Sequence, residues 1–107
     1  MAREKILVVD YNIDALSKMY LALTHRKFKT EVCNKADAIK DQLKKFKPAV
    51  IVLGLNDYAV IGQKLRIPAV VLIEENNTAE VQLHDGDISL QKPVHADELV
   101  KAVEKLV

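Results

Sequence analysis

The chain has 107 residues, half of them hydrophobic and 29% charged, with 16 Lys and Arg against 15 Asp and Glu. A chain of this length buries about two thirds of its unfolded surface, which supports one core without staples or metals and excludes a second domain. A net charge of +1 argues against nucleic acid or a membrane surface as partner, because both are held through a basic excess.

Cys33 is the lone cysteine, so no internal disulfide forms, and no Cys/His cluster has zinc spacing. A reducing, cytoplasmic setting is expected, with Cys33 acting as a small apolar residue at a strand end. The opening Met-Ala-Arg-Glu-Lys precedes an apolar run of only four residues, too short for a signal peptide or a membrane span. His25, His84 and His95 lack metal spacing and read as surface or capping residues.

In chain order, Ile6–Val9 is an apolar run without polar alternation, as in a strand buried on both faces. Leu16, Met19, Tyr20 and Leu23 then recur at helical spacing, with Asn12 or Asp14 as cap and His25, Arg26 and Lys27 at the C-terminal dipole. Lys29–Cys33 carries β-branched Thr30 and Val32 and is a second strand. A second helix follows from Ala36, Ile39, Leu43 and Phe46, with Asn34 as its expected N-cap, Pro48 as its stop, and Lys40–Lys47 along its solvated face.

Ala49–Leu53 is the third strand and Pro68–Ile73 the fourth. Only 13 residues lie between Gly54 and Pro68, so the third helix must be cut to a turn or two or replaced by an extended loop. Asn77-Thr78-Ala79-Glu80 looks like a helix start, and a short helix ending near Gly86 is expected, although Ala79, Val81 and Leu83 alternate as a strand would. Ile88–Leu90 is a weaker fifth strand. Ala96, Leu99, Val100, Val103, Leu106 and Val107 trace the stripe of a last amphipathic helix.

Strands alternating with helices imply an α/β three-layer sandwich: a five-stranded parallel sheet, doubly wound in the flavodoxin-like order. Ligands in such sheets bind at the carboxyl ends of the strands, which selects Asp10, Tyr11, Gly54, Asn56, Asp57, Ile73, Glu74 and Lys92.

Lys5-Ile-Leu-Val-Val-Asp10, Pro48-Ala-Val-Ile-Val-Leu53, Ile67-Pro-Ala-Val-Val-Leu72 and Lys92-Pro93 before Glu98-Leu99, in that order, resemble a response-regulator receiver domain, the CheY-like family. The resemblance covers essentially the whole chain. It implies a phosphoryl-accepting aspartate ending the third strand, an acidic pair ending the first strand to hold magnesium, a Ser or Thr ending the fourth, and a lysine before a cis proline. Metal and lysine would neutralise the charge that a carboxylate and a phosphoryl group bring together.

The chain departs from that pattern at most of these positions. The acceptor position falls on Gly54, which cannot be phosphorylated; the second acid falls on Tyr11; the hydroxyl falls on Ile73; the aromatic switch position falls on Ser89. Asp10 and Lys92 alone match, and they are expected to form a residual buried ion pair. Tyr11 is expected to plug the vacated metal pocket with its hydroxyl reaching water, and Gly54 to permit a tight backbone after the strand. Asp57 lies three residues beyond Gly54, too far displaced for in-line transfer. Magnesium, held mostly by water and carbonyls such as that of Asn56, is expected to bind weakly or not at all, so no cofactor is expected.

Residues 1–47 carry 11 basic and 6 acidic side chains, whereas 48–107 carry 5 and 9. The acids Glu74, Glu75, Glu80, Asp85 and Asp87, with Ser89, gather around the fourth strand, fourth helix and fifth strand. The resemblance implies a dimerisation or docking face there, running on to the last helix. The expected function is therefore non-enzymatic: a degenerate receiver, or pseudo-receiver, serving as a phosphorylation-independent protein-interaction module in bacterial-type two-component or phosphorelay signalling. The alternatives are a noncanonical phosphoacceptor at Asp10 or Asp57, and small-ligand sensing in the vacated pocket. A third alternative is that the chain is one domain cut from a longer protein, in which an output domain follows the last helix.

Overall fold

Side chains alternate across a strand, so a run of Val, Ile and Leu with no polar break needs cover on both faces. The computed structural model, which describes residues 3–75 and 82–107, supplies it. Strands β1 (Lys5–Val9), β2 (Lys29–Cys33), β3 (Val50–Gly54), β4 (Ala69–Ile73) and β5 (Ile88–Gln91) form one sheet in the order β2-β1-β3-β4-β5, every pair parallel. Ile6, Val8, Val50, Val52, Val70 and Leu72 face one core, with helices α1 (Ile13–His25) and α4 (Ala96–Leu106) over them. Leu7, Val9, Ile51, Leu53, Ala69 and Val71 face a second core, under α2 (Ile39–Phe46) and α3 (Leu55–Ile61). This is the three-layer, doubly wound α/β sandwich expected from the sequence.

The connection from β3 to β4 is as short as the residue count requires. Helix α3 has seven residues, then Gly62–Lys64 form a 3-10 turn. Gly62 is needed there because a Cβ would lie 3.1 Å from the ring of Tyr58. The expected helix around Asn77–Glu80 falls outside the described residues. Its expected end does not: residues 82–87 are irregular, and Gly86 adopts φ 92° in a turn in which the Asp87 N–H donates to the His84 carbonyl.

Two helix details differ from the sequence reading. Tyr20 is 40% exposed, because Ala15 and Ala22 complete the core-facing side of α1 beside Leu16, Met19 and Leu23. Asn34 does not cap α2: a 3-10 turn at Ala36–Ala38 leads into the helix, which begins only at Ile39, beyond the reach of Asn34. The N-terminus of α1 is capped as expected, with Asn12 accepting from the Ala15 N–H at 3.0 Å. The peptide bond between Lys92 and Pro93 is cis. No helix among the described residues is long and apolar enough to cross a membrane.

The exit of α1 is a paired-bond stop. The Lys27 N–H donates to the Thr24 carbonyl at 3.0 Å and the Phe28 N–H to the Leu23 carbonyl at 3.1 Å, with both Leu23 and Phe28 in the core. Such a stop needs a left-handed residue, ordinarily glycine, and here Lys27 takes it at φ 74°. Replacing Lys27→Gly is expected to stabilise the fold by about 1 kcal/mol, read as a higher urea midpoint. An unchanged or lower midpoint would show that Lys27 compensates its strain through contacts.

Candidate functional site

Parallel strands finish at the same end of the sheet, so Asp10 and Lys92, which follow β1 and β5, converge with Gly54 and Ile73, which end β3 and β4. Asp10 is the one buried charged side chain among the described residues, 6% exposed. Both of its oxygens are engaged: Lys92 Nζ donates to Oδ2 at 3.1 Å and the Asn12 N–H donates to Oδ1 at 2.9 Å. Lys92, partly buried, also lies 3.6 Å from exposed Glu74. Its backbone is pinned by its N–H donating to the Ile73 carbonyl at 2.8 Å. The ion pair expected from the sequence is therefore present.

Tyr11 is not the buried plug that its position suggested. It is 52% exposed, and its hydroxyl donates to Asp57 Oδ1 at 2.8 Å rather than ending in water. Asp57 stands in the first turn of α3, where the helix dipole favours an acid and where it faces the loop after β1. Partial desolvation, then the hydrogen bond and charge of Asp57, push the Tyr11 phenol up from 10.0 to about 12. Its neutral form is thus favoured by folding below about pH 10, and that preference is lost as pH rises through about 12.

Gly54 also departs from its expected role. Its backbone is ordinary extended chain, φ −74° and ψ 161°, and a Cβ there would meet nothing within 4 Å. Neither conformation nor crowding calls for glycine, so the missing side chain is not a packing requirement. The space opens into a broad depression lined by Val9, Asp10, Tyr11, Gly54, Leu72 and Lys92. Asn56 is exposed beside it, and Ile73 is half-buried against the second core.

Of the acidic cluster, Glu74, Glu75 and Asp85 are exposed, as is Ser89, while Glu80 lies outside the described residues. Asp87 is the exception. It is half-buried, accepting from the Tyr58 hydroxyl at 2.6 Å and from the Ala69 N–H at 3.0 Å. Tyr58 in turn accepts from the His84 N–H at 2.9 Å, and its ring meets the His84 ring edge-on at 5.7 Å. Burial and the Asp87 hydrogen bond raise its phenol. This chain of contacts ties α3 to the start of β4 and to the turn before β5. The sequence signal for it was slight: Leu55, Tyr58 and Ile61 share one helical face, and only Tyr58 among them has a polar atom to satisfy.

No protein-family model and no curated protein matches the chain. Among solved structures, NtrX from Brucella abortus in complex with ADP superposes with TM-score 0.80 at 21% identity, over 99% of this chain and 26% of that one. The chain thus spans about a quarter of NtrX. The N-terminal domain of a response regulator/sensory box/GGDEF protein from Carboxydothermus hydrogenoformans gives 0.77 at 17% identity, covering 94% of this chain and 91% of that one. A response-regulator signal receiver domain from Bermanella marisrubri gives 0.70 at 19% identity, covering 95% and 96%. The fold is that of receiver domains.

Replacing Tyr58→Phe strips a partner from Asp87 and from the His84 amide, and is expected to cost about 1–3 kcal/mol in chemical denaturation. An unchanged midpoint would mean that water replaces the hydroxyl freely. Replacing Asp57→Asn is expected to lower the Tyr11 titration from about 12 toward its ordinary value of 10.0, followed by tyrosinate absorbance against Tyr11→Phe as blank. A titration that stays put would assign the shift to burial alone.

Proposed function

We propose that this receiver fold works as a pseudo-receiver: a phosphorylation-independent protein-interaction module in two-component or phosphorelay signalling, in the cytoplasm, without enzymatic activity. The observation that carries the reading is at the end of β3. Where a receiver would present its phosphoacceptor, Gly54 offers no side chain, although the backbone and the space around it would accept one.

The neighbouring groups support the same reading. A magnesium ion needs several free hard oxygens in near-octahedral array. Here Asp10 is taken up by Lys92 and Asn12, the second acidic position is a phenol bonded to Asp57, and the strand-three position supplies nothing. No group of three or more His, Cys, Asp or Glu suited to a metal occurs among the described residues. The donor set does not fit magnesium, and no transfer step follows from it. Asp57 and Asp10 are also poor substitute acceptors, since each carboxylate is already engaged.

Without a phosphoryl group to favour one of two states, signalling has to come from a surface that is fixed or biased by the partner itself. Glu74 and Glu75 are exposed just beyond the C-terminal end of β4 and suit a basic protein partner or a second copy there, while Ser89 is exposed on β5 and Asp85 is exposed at the opposite end of the sheet, before β5. Asp87 is excluded from that face by its bonds to Tyr58 and Ala69.

Acetyl phosphate with magnesium is expected to add no phosphoryl mass to the intact chain, whereas a phosphorylated species would contradict the reading. The double variant Gly54→Asp with Tyr11→Asp rebuilds the acceptor and the acidic pair in space that is open. It is expected to gain magnesium-dependent phosphorylation, and Gly54→Asp alone to gain little, because the second acid is still absent.

A further inference from the structure

In a parallel α/β sheet every helix starts at the C-terminal end of the strands and finishes at the other end, so the two ends of the molecule differ in electrostatic character. Around the N-terminal ends of β2, β1 and β3 stand Lys5, Arg26, Lys27, Lys29, Lys44 and Lys47, none in an ion pair among the described residues, and they outnumber the acids of that end, Glu4 and Glu104, both of which Arg3 pairs. Backbone bonds draw them together. The Arg3 N–H donates to the Lys27 carbonyl at 2.7 Å, and the Ala49 N–H to the Lys5 carbonyl at 2.7 Å, while Lys5 and Lys29 are direct partners in the ladder.

Helix dipoles account for basic residues in last turns, but not for three further choices. Lys27 and Lys47 both occupy left-handed backbone, at φ 74° and 52°, where glycine or asparagine is ordinary. Lys5 and Lys29 set like charges side by side at the opening pair of β1 and β2. Each choice opposes folding locally, and among the described residues none is paired with a carboxylate, although Lys5 Nζ lies 5.7 Å over the Phe46 ring. A run of locally unfavourable choices with one shared product, positive charge at one end, points to a use for that charge.

The other end carries the complement. Asp14, Asp37, Asp57, Asp97 and Glu98 lie at the starts of helical segments, and Glu74 and Glu75 directly follow β4. A five-residue strand spans roughly 17 Å, beyond the Debye length of about 10 Å at 0.1 M salt, so the two ends act as separate poles despite the near-zero total. We propose that the basic end docks the acidic end of a second copy of this chain, head to tail. The basic end has no exposed aromatic residue for stacking a nucleic-acid base, the exposed tyrosines being Tyr11 and Tyr20, and the matching acidic surface is on the molecule itself. Because the contact joins opposite ends of one axis, it is heterologous and gives open runs rather than a closed dimer. The inference stands independently of the pseudo-receiver reading.

The test is sedimentation of the intact chain across concentration at about 20 mM salt, where the Debye length approaches roughly 20 Å, and again at high salt. Weight-average mass is expected to rise with concentration at low salt and to return to the 12.0 kDa monomer at high salt. Lys5→Gln with Lys29→Gln, which keeps side-chain length, is expected to abolish the rise while leaving the urea midpoint unchanged or higher. Lys27→Glu with Lys29→Glu is expected to stay monomeric alone and to associate when mixed with Glu74→Lys, Glu75→Lys. A wild-type chain that stays monomeric at low salt would overturn the proposal. So would association that survives high salt or the glutamine pair, or a wild-type monomer that binds duplex DNA or anionic vesicles instead.

Discussion

Asp10 is a carboxylate following the buried apolar run Ile6–Val9, 6% exposed, and the end of the sheet is arranged around keeping it satisfied. Lys92 reaches it from beyond β5, across the ends of β4 and β3, and the Asn12 N–H meets its other oxygen. Asn12 then caps α1, so one carboxylate fixes the end of β1, the start of α1 and the position of Lys92. Removing either member of such a pair strands the other in a poorly solvated place, typically at a cost of several kcal/mol for a fully buried pair and less for one as open as Lys92. The same engagement means that a metal at Asp10 would have to share oxygens already bonded to Lys92 and the Asn12 N–H. Under the proposed reading, a group that would serve chemistry in an active receiver serves here as a structural joint.

The fold was legible because its signal is the simplest available. Four of the five strands could be read as apolar runs or β-branched stretches, and β5 was the faintest because it lies at the sheet edge with alternate residues half-exposed. The brevity of α3 followed from counting residues. The contacts missed were those in which a polar atom is satisfied by a residue distant in sequence. Asp87 looked like one more surface acid, and only the packing of Tyr58 beneath Gly62 brings a hydroxyl to it. Tyr11 was placed correctly in the chain, but its rotation toward Asp57 depends on where the first turn of α3 ends up. Gly54 shows the opposite error: a glycine after a strand suggests a backbone need, whereas φ −74° and open surroundings show none.

The two polar constellations divide the labour between the faces of the fold. Asp10 and Lys92 join β1 to β5 at one end of the sheet, while Tyr58, Asp87 and the amides of Ala69 and His84 join α3 to β4 and the approach to β5 toward the other. Satisfied polar networks of this kind rigidify what they connect. A receiver that signals by phosphorylation needs the β4–β5 region to take two arrangements; here it is tied at both ends, and the hydroxyl and aromatic positions that would couple such a change are Ile73 and Ser89. These contacts are compatible with the fixed docking surface proposed above.

A pseudo-receiver role requires that the strand-end site take up neither a metal nor a phosphoryl group, and beryllofluoride with magnesium probes that site without chemistry. Amide resonances of Asp10, Asn56 and Lys92 in the wild-type chain are predicted to stay in place through millimolar additions of both. Saturable shifts of those three amides, requiring both components, would show a working phosphoryl site and contradict the account.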